Sequence, residues 1–319
     1  MKIGIDMMGG DFAPQEAVSG VKLFLDQHAN EHLKLFLIGD AARVEPLVSA
    51  CGLDPARYEV VHAPEVIGMH EHPTKALRGK PNSSINIGFS LLQKKAIDAF
   101  ISAGNTGAMM VGVMYSIKAI EGIQRPTIST VIPREDGSTG LLLDVGINAD
   151  CKPENLVQFA ILGTLYAKNI LNIEDPKVGL LNIGEEDGKG NILAQATFPL
   201  LKENPKIHFV GNIEGRDLFN NKADIIVCEG FTGNVVLKLA ESIYDIVERR
   251  NIQDAYLQHF NFENYGGTPV LGVSEPVIIG HGISKAPAFK NMIVLAEKML
   301  NTRLLEKIRE NFKQHIPAQ

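Results

Sequence analysis

The sequence contains no tryptophan and only three cysteines in 319 residues, Cys51, Cys151 and Cys228. An odd number of cysteines without a short CxxC or Cys/His spacing excludes a disulfide framework and provides no zinc motif. No apolar run approaches the ~20 residues of a membrane-spanning helix, and the acidic Asp6 stands where a signal peptide would carry its apolar core. We therefore expect a cytoplasmic protein without a spanning helix.

An excess of positive charge is also lacking. The chain has 31 Lys+Arg against 37 Asp+Glu, a formal net charge of −6, which is the wrong sign for a protein that neutralises nucleic-acid phosphates. The P-loop, the Gly-x-Gly-x-x-Gly fingerprint, the Gly-x-Ser-x-Gly elbow and the His-Glu-x-x-His motif are all missing. These absences argue against nucleic-acid binding, P-loop nucleotide chemistry, serine hydrolysis and zinc proteolysis.

Short β-branched apolar runs that stop at a cluster of Gly, Asn, Asp or Thr recur along the chain. Seven such runs predict strands, at 2–6, 33–38, 98–102, 140–145, 177–183, 224–228 and 276–279. Amphipathic stretches predict helices over about 14–27, after 107, from 191 to about 203, from about 235 and from about 286. Strands that alternate with helices at this spacing predict a largely parallel sheet covered on both faces, a Rossmann-like three-layer α/β/α fold.

The glycine-rich clusters all follow the carboxyl ends of predicted strands, where ligands bind in such folds. Glycine lets a backbone approach a ligand closely, and the first N–H groups of a helix lack partners inside the helix. Any one of these turns is equally typical of ordinary turn chemistry. Several together predict a phosphate or other oxyanion in one crevice.

Lys189 lies between two glycines just ahead of a predicted helix, where a cation is electrostatically unfavourable unless an anion binds nearby. Asn234 suits the N-cap of the next helix, so capping alone could explain it. Ser83 and Ser84 are either cap residues or phosphate donors, and His281 is either a site residue or a turn histidine. Consecutive acids at 185–187 favour a solvated loop over a metal site.

Long motifs in the chain resemble those of the PlsX family, the phosphate acyltransferases of bacterial phospholipid synthesis, and the match is collinear across essentially the whole sequence. The motifs are Ile-Asp-Met-Met-Gly-Gly-Asp-x-Ala-Pro at 5–14, Lys-Pro-Asn-Ser-Ser at 80–84, Ser-Ala-Gly-Asn-Thr-Gly-Ala at 102–108, Leu-Leu-Leu-Asp-Val-Gly at 141–146, Lys-Pro-Glu at 152–154, Val-Gly-Leu-Leu-Asn-Ile-Gly-x-Glu-Asp-x-Lys-Gly-Asn at 178–191, Gly-Phe-Thr-Gly-Asn at 230–234, Tyr-Gly-Gly at 265–267 and His-Gly at 281–282.

The resemblance implies transfer of a long-chain fatty acyl group from acyl carrier protein to inorganic phosphate. The product, acyl-phosphate, would feed a downstream glycerol-3-phosphate acyltransferase. It also implies a homodimer without cofactor, and a single domain over 1–319 similar to phosphotransacetylases and to isocitrate and isopropylmalate dehydrogenases. The family's catalytic lysine and asparagine fall on Lys189 and Asn234. Residues expected to bind phosphate or acyl donor are Asp6, Gly9, Gly10, Asp11, Ser83, Ser84, Asn105, Thr106, Asn191, Thr232, Gly233 and His281.

The chain departs from the resemblance at about 235–263, where many family members have a longer, membrane-associating helical hairpin. We expect a short helical hairpin here, with Leu239, Ile243, Ile246 and Val247 packed on the protein's own core. Only the tip from Tyr256 to Phe262 remains to touch lipid or a second subunit. The sequence therefore predicts at most weak, peripheral membrane contact at the inner face of the membrane.

Acyl carrier protein is acidic, so its binding requires a local basic patch. The candidates are Arg249, Arg250 and the closing helix with Lys285, Lys290, Lys298 and Arg303, which are equally consistent with solvated faces. Three other functions stay open: a phosphotransacetylase acting on short acyl-coenzyme A, a metal-dependent 2-hydroxyacid dehydrogenase, and a non-catalytic scaffold for lipid enzymes.

Overall fold

The computed structural model describes residues 1–28, 30 and 32–313, which form two compact units. Unit 1 comprises Met1–Ala119 and Glu263–Leu305, and unit 2 comprises Ile120–Phe262 and the segment that begins at Glu306. The single domain that the sequence suggests over 1–319 stays a prediction.

Strands and helices alternate along most of the described chain. The strands are β1 (Lys2–Asp6), β2 (Lys34–Gly39), β3 (Tyr58–His62), β4 (Ala99–Ser102), β5 (Thr127–Pro133), β6 (Thr139–Leu143), β7 (Lys177–Leu181), β8 (His208–Ile213), β9 (Ile225–Val227), β10 (Thr268–Leu271) and β11 (Val277–Ile279). The helices are α1 (Gln15–Gln27), α2 (Ala41–Ala50), α3 (Pro73–Gly79), α4 (Ser84–Gln93), α5 (Thr106–Gly112), α6 (Pro153–Tyr166), α7 (Ile192–Lys202), α8 (Gly230–Arg249), α9 (Ala286–Asn301) and α10 (Leu304–Lys313).

In unit 1 the strands lie in the order β3, β2, β1, β4, β11, β10. All neighbours are parallel except β10, which runs antiparallel to β11. The strands β1 and β4 are almost wholly buried, as expected for parallel strands covered on both faces. Helices α1, α2 and α9 pack as one group against this sheet, and α4 and α5 pack together as another.

In unit 2 the order is β5, β6, β9, β7, β8, with β5 antiparallel to β6 and the other pairs parallel. Helix α6 packs on β6 and β9 and against α7, whereas α8 contacts β6. Both units thus place helix starts beside the carboxyl ends of parallel strands, which confirms the predicted three-layer α/β architecture with a mostly parallel sheet.

Each of the seven predicted runs contains a strand, and all five predicted helices are present. Two boundaries differ in ways that affect the site. β7 ends at Leu181, so Asn182 and Ile183 belong to the following loop. α8 begins at Gly230 with Glu229 as its N-cap, so Asn234 lies in the second turn of the helix and is not its cap.

The predicted helical hairpin at about 235–263 is a different structure. After α8 the chain forms two short 3-10 turns, Leu257–Phe260 and Phe262–Asn264, and the first packs back against α8. Phe260 is buried, with its ring 5.0 Å from that of Phe219 and 5.5 Å from that of Tyr256. The expectation that this tip offers Phe260 to lipid is therefore wrong, because the ring fills the interior of unit 2.

The expectation that α8 packs Leu239, Ile243, Ile246 and Val247 on the core is correct for Val247, in part for half-buried Ile243, and wrong for the other two. Val247 is buried, but Leu239 is 67% exposed and Ile246 is 46% exposed. Phe231 and Val235 are exposed on the same side of the helix. Spacing correctly predicted an apolar face, whereas the structure leaves most of it uncovered by unit 2.

Candidate functional site

The carboxyl end of β1 is organised by Asp6, which is completely buried. Its carboxylate accepts hydrogen bonds from the backbone N–H of Met8 (2.9 Å) and the hydroxyl of Ser102 (2.6 Å), and Ser84 contributes another. Burial raises the pKa of Asp6 above its usual value, and these hydrogen bonds oppose the rise. Asp6 thus ties the loop after β1 to the end of β4 and the start of α4.

The loop after β1 is pressed tightly against its neighbours in unit 1. A Cβ on Gly9 would lie 2.5 Å from the backbone nitrogen of Gly104, so only glycine fits there. Gly10 has a φ of +98°, and the N–H of Asp11 donates to the carbonyl of Gly282 (2.7 Å). The structure therefore brings the predicted glycine turns at 9–11, 104–106 and 281–282 together.

Three predicted binding residues serve as helix caps. Ser83 Oγ accepts from the N–H of Asn86 at the start of α4 (3.4 Å), and Asn105 Oδ1 accepts from the N–H of Ala108 at the start of α5 (3.0 Å). The Asn105 amide also donates to three carbonyls of the 68–71 segment. In unit 2, Asn191 Oδ1 accepts from the N–H of Ala194 at the start of α7 (2.8 Å). Capping thus occupies the oxygens of these side chains.

Two asparagines that the sequence did not single out hold the loop of Lys189. The Asn182 amide donates to the carbonyl of Lys189 (3.1 Å) and to Asn212 Oδ1 (3.0 Å). The buried Asn212 in turn donates to the carbonyl of Glu186 (2.8 Å). Because both amides are used inside unit 2, they fix the backbone on each side of Lys189.

Ion pairs fasten the same loop from outside. Glu185 pairs with Lys222 (2.7 Å) and Asp187 with Lys202 (2.9 Å). The ammonium of Lys189 lies 3.9 Å from the exposed carboxylate of Glu186, the longest of these separations, and its side chain is 50% exposed. Glu185 and Asp187 are thus closely paired, whereas Lys189 has only a loose partner.

The first turn of α8 is closed by its own cap. The Glu229 carboxylate accepts from the N–H of Thr232 (3.1 and 3.2 Å) and from the Thr232 hydroxyl. The Asn234 amide donates to the carbonyl of Val145 (3.2 Å), next to Gly146. Thr232 is therefore already paired, while the exposed Asn234 keeps its side-chain oxygen without a described partner.

A second buried acid, Asp144, organises the loop after β6 as Asp6 does after β1. Its carboxylate accepts from the N–H groups of Gly146 (3.1 Å), Ile147 (3.2 Å) and Asn148 (2.8 Å). Burial raises its pKa, and the bonds from Asn148, Ile147 and Gly146 oppose the rise. The motif at 141–146 contains Asp144, and the signal that marks it in the sequence is an acid at a strand end shortly before glycine, which Asp6 shares.

A cavity of about 260 Å³ separates the two predicted catalytic segments of unit 2. One side is formed by the residues after Lys189, Gly190 and Asn191, and the other by Glu229 and Thr232 at the start of α8. Its interior is apolar, formed by Leu156, Leu180, Leu193, Ala194 and Cys228. The Lys189 loop and α8 thus meet at one cavity, as expected for turns at the carboxyl ends of neighbouring parallel strands.

Within the part of the chain that the structure describes, no three His, Cys, Asp or Glu side chains are grouped to hold a metal ion. Across residues 1–28, 30 and 32–313, no helix is both long and apolar enough to span a bilayer.

Comparison with known proteins adds to this geometry. A family model described as "Fatty acid synthesis protein" matches residues 1–307. The phosphate acyltransferase of Dictyoglomus turgidum is 41% identical over 333 aligned positions, covering 98% of both chains, and that of Aquifex aeolicus is 41% identical over 337, covering 99% of this chain and 98% of the relative.

Solved structures show the same fold. A phosphotransacetylase from Streptococcus pyogenes superimposes with a TM-score of 0.64 at 20% identity, covering 96% of this chain and 94% of the other. The EutD phosphotransacetylase from Staphylococcus aureus gives a TM-score of 0.61 at 16% identity, covering 94% of each. The expected likeness to phosphotransacetylases is thus confirmed at the level of the fold.

Proposed function

Since the chain belongs to the fatty acid synthesis protein family, we propose that it is a phosphate acyltransferase that moves a long-chain fatty acyl group from acyl carrier protein to inorganic phosphate. The observation that supports this proposal most strongly is the 41% identity to phosphate acyltransferases over nearly the whole chain. The acyl-phosphate formed would serve a downstream glycerol-3-phosphate acyltransferase in phosphatidic acid synthesis.

The proposed reaction needs no nucleophile from the protein. A phosphate oxygen attacks the thioester carbonyl carbon, the C–S bond breaks, and the electron pair leaves on the carrier's sulfur as a thiolate that takes up a proton. Phosphate is largely dianionic near neutral pH and is itself nucleophilic. The cysteines nearest the cavity suit this scheme: burial raises the pKa of the Cys151 thiol to about 12 and that of Cys228 well above its usual value, so both are neutral thiols.

We assign Lys189 and Asn234 to the reacting groups. The loosely paired ammonium of Lys189 can offset the charge of phosphate or of the developing oxyanion, while Asn234 offers an amide held at Val145. Asn191, Thr232 and Gly233 border the same region, where they hold the starts of α7 and α8.

In unit 1 the proposed phosphate site consists of turns whose side chains mostly form hydrogen bonds within the protein. Asp6, Ser83 and Asn105 have their oxygens committed to backbone or side-chain partners, so we propose that phosphate meets mainly backbone N–H groups here, other than those of Gly9 and Asp11, which donate to Asp6 and Gly282. The remaining members of this proposed site are Gly9, Gly10, Asp11, Ser84, Thr106 and His281.

The decisive experiment is mass-spectrometric detection of acyl-phosphate after the protein is mixed with palmitoyl acyl carrier protein and phosphate. Lys189→Ala and Asn234→Ala should each lower turnover on the order of 10²–10³. Lys238→Ala removes an exposed lysine paired only with Glu241 on the surface of α8 and serves as the control. Near-normal turnover of Lys189→Ala with an intact fold would refute its assignment.

The fold match to phosphotransacetylases supports a second candidate, transfer from a short acyl-coenzyme A. Competition between acetyl-coenzyme A and palmitoyl acyl carrier protein separates the two, since only the better donor should suppress turnover of the other. A scaffold protein would keep its cellular role after Lys189→Ala, and a dehydrogenase would change NAD absorbance with a 2-hydroxyacid.

Acyl carrier protein is acidic, and this chain as a whole is also negative. We therefore propose that the carrier docks on a local group of basic side chains. Arg249 and Arg250 are exposed at the end of α8, and Lys285 and Arg303 are exposed at the two ends of α9 in unit 1. Charge reversal at the docking residues should raise the Michaelis constant for the carrier at low salt, whereas an unchanged constant would place docking elsewhere.

We further propose a homodimer that covers the exposed face of α8. Phe231, Val235, Leu239 and Ile246 form an exposed apolar stripe along this 20-residue helix, and contiguous exposed apolar surface is typical of protein interfaces. Leu239→Glu should shift sedimentation towards the monomer.

Membrane contact is proposed to be peripheral and weak, since Phe260 is buried. Substantial pelleting with anionic vesicles at physiological salt would contradict this.

A further inference from the structure

The cavity beside the Lys189 loop has an interior suited to hydrocarbon. Leu156, Leu180, Ala194 and Cys228 are all buried and form its inner wall, and Leu193 lies between this wall and the surface. The only polar side chains around it stand on the rim, at Asn182, Asn191, Glu229 and Thr232. A ligand that fills the interior would therefore be apolar, with any polar end at the rim.

The polar side chains of the rim are largely engaged in helix caps. Glu229 places a carboxylate there, and it already caps α8, while Asn191 caps α7. The N–H of Ala194 in α7 and the N–H of Thr232 in α8 are thus bonded to capping side chains. Burial raises the pKa of the Cys228 thiol, and the carboxylates of Glu229 and Asp144 add to the rise, so this wall presents a neutral thiol.

A second cavity continues the first towards solvent. It is about 660 Å³, and Asn191, Leu193 and Glu229 line both cavities. Ile192 and Phe231 on its border are 88% and 67% exposed, an unusual degree for large apolar side chains beside a site. Leu193 is therefore the apolar side chain common to the buried cavity and the outer one, with Asn191 and Glu229 beside it.

On the basis of the acyl transfer proposed above, we propose that these joined cavities bind the alkyl chain of the acyl donor, with its thioester carbonyl at the rim between Gly190 and Thr232. Phosphate is held outside them. Leu193, where the cavities meet, then determines the preferred chain length, because every chain longer than a few carbons must pass it.

The test uses the full chain with butyryl, octanoyl, lauroyl and palmitoyl thioesters of acyl carrier protein, and measures acyl-phosphate by mass spectrometry. Leu193→Trp should lower kcat/KM for palmitoyl relative to butyryl about tenfold or more, since a steric block of this size in an apolar pocket discriminates to that degree. Leu200→Trp, an exposed leucine farther along α7 outside both cavities, should leave the ratio unchanged.

A direct binding measurement keeps the proposal testable if Leu193→Trp folds poorly. The chain has no tryptophan, so Ile183→Trp, at the exposed mouth of the first cavity, introduces a single fluorescent reporter. A palmitoyl-pantetheine thioether analogue should shift its emission to shorter wavelength, whereas phosphate alone and the Leu200→Trp control should produce no shift.

The possible failures are distinguishable. If the unmodified protein forms no acyl-phosphate from any thioester, the proposed function is wrong. If it is active but Leu193→Trp lowers all chain lengths equally, the cavities hold the pantetheine arm and the chain-binding proposal is overturned. An active protein whose Ile183→Trp emission ignores the analogue overturns it as well.

Discussion

Replacing Gly233 with alanine should displace the start of α8. A Cβ at this position would lie 1.8 Å from the carbonyl oxygen of Asp144 and 3.0 Å from Cys228 Sγ. That carbonyl belongs to backbone that pairs with Cys228 beside β6 and β9, so it cannot turn aside as a side chain could. To reach even a 3.0 Å contact, helix and loop must separate by 1.2 Å, the difference between 3.0 and 1.8.

The expected loss of stability follows from two opposing effects. Overpacking costs about 1–3 kcal/mol, and backbone that cannot yield places this site near the upper value. Alanine is favoured over glycine inside a helix by about 1 kcal/mol. The free energy of unfolding should therefore fall by about 2 kcal/mol.

Activity should fall further than stability suggests, because Asn234 moves with the helix. A shift of about 1 Å in the position of a catalytic group lowers turnover on the order of 10²-fold. Urea unfolding and acyl-phosphate formation measure the two effects. Gly215→Ala is the control, since nothing lies within 4 Å of its added Cβ. Unchanged stability and turnover in Gly233→Ala would refute this account of the α8 start.

Three further predictions concern other parts of unit 2. Phe260→Ala should lower the free energy of unfolding by about 3–5 kcal/mol in urea titrations, whereas Phe231→Ala, at a site 67% exposed, should change it by less than about 0.5 kcal/mol; equal effects would contradict the burial of Phe260. Asn212→Ala removes the hydrogen bond to the carbonyl of Glu186, so amide hydrogen exchange across the Lys189 loop should become faster and kcat should fall. Slow exchange with a normal kcat would show that the loop does not need this bond. With a pKa of about 12, Cys151 is thiolate to only about 10⁻⁴ at pH 8, so peptide mass spectrometry should find it alkylated by iodoacetamide far more slowly in the folded chain than in guanidinium; equal rates would refute the raised pKa.

The strands that lead into the site were readable from sequence because of their burial. Parallel strands covered on both faces are continuous apolar runs, so β1, β4, β7 and β9 stand out, and glycine clusters mark their carboxyl ends. Two of the strands that this pattern omitted are β3 and β8. β3 mixes exposed and partly buried residues, and the pairing of β8 with β7 has a register shift at 178–180.

The predicted binding residues divide in the same way. Local rules predicted that Ser83 could cap a helix, since an N-cap bond spans only three residues; the same rule applies to Asn105, for which only a binding role was predicted. The bond between Asn182 and Asn212 crosses 30 residues, and no local pattern announces it. Asn234 was misplaced as a cap because Glu229, less typical of that position, caps α8 instead.

The sequence by itself determined the α/β class, the order of the main strands and helices, the glycine turns at strand ends, and, through long motifs, the family. Tertiary structure alone decided which of those residues have free polar atoms and which apolar faces are covered. Periodicity defines a face on a helix but not its neighbour, so the exposure of Leu239 and Ile246 on α8 and the burial of Phe260 could not be predicted from it. Hydrogen-bond partners and burial depend on residues distant in the chain, and these are fixed only when the elements pack.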